Sequence, residues 1–143
     1  MEENINALDE ISKGSSMGQE ALHFVLDKVE DEKFKEVLEK QYNDYKDISR
    51  RIEEVYQKYN STDEPHKVGV MTKAMTWYGV EMKTLTDHSN SKIAELLLQG
   101  TNMGIIEGRR IYNKKEIDKE VSNIVKEYVS MQERCVEVLK EYL

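Results

Sequence analysis

Few residues of this chain have a type and position suited to chemistry, and Glu107 is the first of them. At 100° per residue, Ile93, Leu97, Gly100, Gly104 and Ile111 cluster on one helical face, and Glu107 falls within it. A carboxylate on such a face loses hydration and needs a partner. That partner is a metal ion, an inward-reaching Arg or Lys, or tyrosine hydroxyls and Gln41 from neighbouring helices. Two plainer readings stand beside these: a solvated end of the stripe, or a hydrogen-bonded core glutamate that fixes helix register.

Glu20 and His23 form the second candidate, with the Glu-x-x-His spacing of carboxylate-bridged di-metal centres. The apolar side of their helix is defined by Gly14, Gly18, Ala21, Leu22 and Val25. Glu20 and His23 lie well off its centre, which favours a surface position. A di-metal centre also needs a second Glu-x-x-His, and the chain has none; Asp44-x-x-Asp47 and Glu133-x-x-Val136 are the nearest substitutes. His66 and His88 sit at helix ends, with no Cys or second His at metal-ligand spacing. No glycine-rich phosphate loop, Ser-His-Asp set or Cys-His pair can be nominated. A reaction run by side chains alone is therefore not expected.

The elements that position these residues are helices. Ile117, Val121, Ile124, Tyr128, Met131, Cys135, Val138 and Tyr142 alternate spacings of four and three, the seam of a helix bundle. Four earlier stretches repeat the rhythm. A first helix is expected from Asn4 to Val29, with Leu8, Ile11, Ser15, Gly18, Leu22 and Val25 inward. Asp31 caps a second, which carries Phe34, Leu38, Gln41, Tyr45, Ile48, Ile52, Val55 and Tyr59 inward. The link between the two is so short that they must form an antiparallel hairpin. Asn60 to Pro65 is the strongest break, its proline suited to the first turn of a third helix running to Asp87. Val68, Met71, Met75, Tyr78, Met82 and Leu85 form that helix's stripe. Asn90 or Ser91 caps the fourth helix, and Asn113 with Glu116 forms a capping box opening the fifth.

Glycines and methionines add detail. Gly14, Gly18, Gly100, Gly104 and Gly108 recur at four-residue spacing, each costing about 1 kcal/mol of helix propensity relative to alanine. Either the first and fourth helices cross in near contact there, or the space serves a ligand. Met71, Met75 and Met82 with Trp77 and Tyr78 form a soft aromatic face. Trp77 lies off the main stripe, which suits part of that face to a dimer contact.

Length and composition set the outer limits. The 143 residues suit one domain over 1–143, large enough for a single core. A charged fraction of 34% with a single proline is the profile of long solvated helices. The net charge of −7, with basic residues interspersed among carboxylates, argues against nucleic acid as a partner. No apolar run approaches a membrane span and no signal peptide is expected. The single cysteine, Cys135, on a core stripe is read as a small buried hydrophobe in a reducing compartment, which makes a cytoplasmic location the default expectation.

The order of parts resembles the ferritin-like superfamily, and within it a bacterial family of unknown function and about this length. The resemblance covers most of the chain. It rests on Val68-Gly69-Val70-Met71 through Trp77-Tyr78 to Met82-Lys83-Thr84-Leu85, then on Ile93-Ala94-Glu95 through Gly104-Ile105-Ile106-Glu107 to Tyr112. It implies an all-α fold: an antiparallel four-helix core with the third helix as crossover, five helical segments in all. It also implies that Glu20 and Glu107 match metal-ligating glutamates. Two functions are therefore expected in order. The first is a non-catalytic bundle without cofactor, acting through its surface or as a small homo-oligomer, a dimer. The second is an iron- or manganese-binding protein with a reduced carboxylate site.

Overall fold

The computed structural model describes residues 2–62, 65, 73–114 and 116–143. They form five α-helices and, among the described residues, no strand: α1 (Glu2–Leu26), α2 (Glu32–Tyr59), α3 (Lys73–Lys83), α4 (Asn90–Tyr112) and α5 (Lys119–Lys140). Asp31 caps α2 as its position predicts, its carboxylate accepting from the Phe34 N–H at 2.9 Å. The Asn90 amide donates to the same carboxylate at 3.2 Å. These two donors hold the Asp31 carboxyl below the usual range.

Several boundaries differ from expectation for local reasons. Ser89, not Asn90 or Ser91, caps α4, because its hydroxyl reaches the Lys92 N–H at 3.2 Å. The expected box at Asn113 and Glu116 does not open α5. Asn113 closes α4 and Asp118 stands before α5. The Asp118 carboxylate makes no cap bond to its own helix; it accepts from the Tyr59 hydroxyl at 2.9 Å, while its N–H donates to Asn4 Oδ1 at 2.8 Å. Pro65 is buried and lies outside the described helices, and residues 66–72, where the expected third helix continues from it, are outside the described residues. Val68 and Met71 of the expected third stripe lie outside the described residues.

Cross-helix ties set the directions. α1 packs on α2 and α4 on α5, while α1–α4 and α2–α5 contacts close a ring of four long helices. α2 and α5 are antiparallel: Tyr59 meets Asp118 at one end, Gln41 Nε2 donates to the Cys135 carbonyl at 3.5 Å midway, and Phe34 stacks on Tyr142 with ring centroids 4.4 Å apart at the other. The Asp31–Asn90 bond places the starts of α2 and α4 together, and the Asn4–Asp118 bond does so for α1 and α5. Every neighbouring pair therefore runs antiparallel. The chain leaving α2 must return the length of that helix, about 40 Å, before α4 begins, and α3 lies on this return.

The core follows the predicted stripes and then drifts from them. Phe34, Leu38, Gln41, Tyr45, Ile48 and Ile52 are buried, but Tyr56 then takes the place expected of Val55 and Tyr59. On α5 Val121, Ile124, Tyr128, Met131 and Cys135 are buried, while Val138 is exposed and Leu139 fully covered. A repeat of 3.5 residues lags a straight helix of 3.6 by about 20° per heptad, so late members of each stripe rotate out and their successors rotate in. Cys135 is buried as expected, and that burial pushes its thiol up to about 12. Tyr78 and Met82 are buried while Trp77 on the same helix is exposed. No described helix is long and apolar enough to cross a membrane.

Candidate functional site

The glycines of α1 and α4 are where the fold departs most from plain packing. A Cβ on Gly18 would strike the Tyr45 ring, one on Gly14 the Tyr128 hydroxyl, one on Gly100 the Tyr78 ring and one on Gly104 the Gln132 amide. The expected near contact of the two helix backbones is thus corrected. Although α1 and α4 do pack together, the space left by the missing side chains is taken by tips of long residues from α2, α3 and α5.

This seating makes a direct prediction. At Gly18 three ring atoms of Tyr45 crowd an added methyl, including Cζ at 2.7 Å and Cδ1 at 2.8 Å. Overpacking of that kind costs about 1–3 kcal/mol, against about 1 kcal/mol returned by the helix propensity of alanine. Gly79 on α3 has nothing within 4 Å of the added atom. Gly79→Ala is expected to raise the melting temperature and Gly18→Ala to lower it, both read by thermal unfolding. Equal stabilisation by the two would contradict the Tyr45 seat.

The same glycines line a cavity of ≈490 Å³ between α1 and α4. Its walls are apolar: Ile11, Met17 and Leu22 from α1, Leu97 and Met103 from α4, and Met75 from α3. Its rim carries two opposite-charge pairs, Lys13–Glu10 at 3.4 Å and Arg110–Glu107 at 4.0 Å. The buried residues of the lining that carry polar groups are Gln41, Tyr45, Tyr78, Thr101, Tyr128 and Gln132.

Two of those groups have no partner. The Tyr45 hydroxyl donates to Gln132 Oε1 at 3.4 Å, and the Thr101 hydroxyl turns back to the Leu97 carbonyl at 2.7 Å. This leaves the Tyr128 hydroxyl and Gln132 Nε2, on residues each 1% exposed, without a hydrogen bond. The Tyr128 oxygen lies close enough to Gln132 for a hydrogen bond from that side chain to offset part of the rise at the phenol, although the contact falls outside strict bonding geometry. Unpaired buried groups of this kind are few in native proteins, and each costs about 1–3 kcal/mol in desolvation. Burial lifts the hydroxyls of Tyr45, Tyr78 and Tyr128 well above the ordinary phenol value, and the Glu107 charge adds to the rise at Tyr128. They therefore act as neutral donors across the physiological range. The described lining holds no His, Cys or Ser.

The residues first nominated for chemistry lie elsewhere or at the edge. Glu107 is not inside: its side chain is 49% exposed on the cavity rim, beside Arg110. The buried face of α4 runs through Ile93, Ala94, Leu97, Thr101, Gly108 and Ile111, so the drift that displaces Val138 on α5 carries Glu107 outward as well. Glu20 is exposed and does not line the cavity; His23 is exposed, its ring 6.3 Å from that of Tyr42. Asp44 pairs with Lys40, Asp47 with Arg50, and Glu133 with Arg109. His88 is exposed in the link between α3 and α4, while His66 lies outside the described residues. Among the described residues no group of three or more His, Cys, Asp or Glu could hold a metal ion. Tyr128 stood in the sequence only as a core residue, and Gln132 was not singled out. Their signal was the glycine spacing opposite them.

Compared with known proteins, the chain matches no family model, no curated protein and no solved structure. What the geometry defines is an all-helical protein with a ligand-sized cavity between two of its long helices.

Proposed function

We propose that this protein is a non-catalytic, ferritin-like four-helix bundle that holds a small, mostly apolar organic molecule in the cavity between α1 and α4. The observation that carries the binding role is the largely apolar space of ≈490 Å³ that the glycines of α1 and α4 leave beside them, bordered by a few buried polar residues, Tyr45, Thr101, Tyr128 and Gln132 among them. Ligand sites are typically about 300–1,000 Å³, mostly apolar, with a few convergent polar groups that fix orientation. The ferritin-like assignment is supported by the directions of the helices, α1 and α5 one way and α2 and α4 the other, with a long return carrying α3. Exposure of Trp77 and Val80, three residues apart on one face of α3, supports self-association as a dimer. No comparable observation favours iron or manganese: Glu20 and Glu107 stand exposed on different helices, and Glu107 has Arg110 beside it.

Titration with the uncharged fluorophore N-phenyl-1-naphthylamine tests the binding role. Saturable emission at one molecule per chain is expected, and it should be lost in Ala21→Phe, which fills the lining, once circular dichroism shows that variant folded. Absence of saturable binding would end the proposal. In the same preparation added iron(II) or manganese(II) is expected to leave the melting temperature unchanged. A metal-dependent rise that disappears in Glu107→Leu would favour the carboxylate reading instead.

A further inference from the structure

α3 is the least anchored wall of the cavity. Of its described side chains only Tyr78 and Met82 are buried, whereas each of the four long helices buries seven or more residues. It packs chiefly on α4. Met75 and Tyr78 line the cavity from one face of α3, while Trp77 and Val80 on the opposite face stand exposed. The seat of Tyr78 is the bare backbone at Gly100, where a Cβ would strike its ring and hydroxyl. The link from α3 to α4, residues 84–89, is exposed except for the half-buried Leu85. Its hydrogen bonds are local. The Thr84 hydroxyl donates to the Val80 carbonyl at 2.8 Å, His88 Nε2 lies 3.1 Å from the Leu85 carbonyl, and the Ser89 N–H donates to Asp87 at 3.0 Å.

Gly79 weakens the helix itself. The glycines of α1 and α4 each leave room for a side chain from another helix, but an atom added at Gly79 would meet nothing within 4 Å. A glycine in the middle of an 11-residue helix therefore costs helix propensity and returns no packing. An element with few buried contacts, an exposed link and a weak centre belongs to the low-stability end of a fold, where segments open without global unfolding.

We propose that α3 is the gate of the cavity: it unwinds transiently, lifting Tyr78 from Gly100 and Met75 from the lining, and the ligand enters and leaves through the gap. This rests on the binding role proposed above. The four long helices keep their packing while the gate opens, because the ring they form is closed without α3.

Amide hydrogen exchange on the full chain reads the opening without a variant. The α3 amides should exchange at least about a hundredfold faster than the core amides of α1 and α4, the spread between a locally opening unit and one that opens only globally. Stopped-flow mixing with N-phenyl-1-naphthylamine reads the gating. When a ligand passes only through the open state, its association and release rates both scale with the open population, and its affinity does not. Gly79→Ala should slow both rates about fivefold, the helix-propensity difference read as a population, with Kd unchanged. Met82→Ala loosens the second anchor without touching the lining and should speed both. Trp77 and Val80 also serve the proposed dimer contact, so all rates are compared where light scattering shows the same oligomeric state. Unchanged rates in either variant, a change confined to release, or α3 amides as slow as those of α4 overturns the gate and leaves the binding role standing. A chain that binds no fluorophore overturns the binding role and the gate with it.

Discussion

Raising the pH through about 11 to 12 is expected to unfold this protein in one steep transition. Tyr45, Tyr78 and Tyr128 all have hydroxyls raised by burial in the folded state. Above about pH 10 the unfolded chain releases these three protons while the folded chain keeps them. The folded state then binds more protons, so stability falls as pH rises, by about 4 kcal/mol per pH unit for three groups. Their contribution is fully present below pH 10 and is lost toward their folded values. Cys135 adds to the slope from a lower pH, since its thiol titrates at about 12 when folded and at about 8.5 in the open chain. Against a typical stability of 5–15 kcal/mol, this is enough to unfold a domain within about two pH units. Far-UV circular dichroism and phenolate absorbance should change together at that point. Smooth ionisation of all eight tyrosines near pH 10 with the helices intact would show that the three are not sealed.

The buried tyrosines also show what was legible beforehand. Helical class, helix number, the Asp31 cap, the inward face of α1 and that of α2 as far as Ile52 all follow from apolar spacing and turn chemistry, which are local properties. What the spacing could not carry was phase over distance. A strict four-three rhythm describes a supercoiled seam, whereas the buried faces observed follow 3.6 residues per turn. After two or three heptads the error is large enough to exchange Val138 for Leu139, Val55 and Tyr59 for Tyr56, and Glu107 for Gly108. The last exchange matters most, because it moved the first metal-ligand candidate, Glu107, from the interior to the rim.

The site itself was half legible. Five glycines at four-residue spacing signalled that something occupies the space beside α1 and α4. Which residues fill it is a long-range matter: Tyr128 reaches Gly14 across more than a hundred residues of sequence, and Gln132 reaches Gly104 from the next helix. A buried glutamine also looks like any other polar position on a stripe until its partners are counted. Only the three-dimensional count shows that Tyr45 takes its carbonyl and that nothing takes its amide nitrogen.

That count leads to the second large effect. Gln132→Glu, nearly isosteric, is expected to lose about 2–4 kcal/mol of stability relative to wild type at pH 8 and to regain it below pH 4. Burial at a residue 1% exposed, with Glu107 on the same cavity, raises the folded pKa of the introduced carboxyl above its unfolded value near 4.3. The group is then neutral in both states in acid, so its contribution is fully present there. As pH rises from about 4 to the folded pKa the unfolded chain releases the proton first, and stability falls before levelling off. Two tyrosine donors, Tyr45 and Tyr128, recover part of the desolvation cost, which is why the expected loss is below the full range for an isolated buried charge. Denaturant unfolding of variant and wild type at pH 4 and pH 8 gives the difference directly. A variant as stable as wild type at pH 8 would mean that water reaches Gln132 freely.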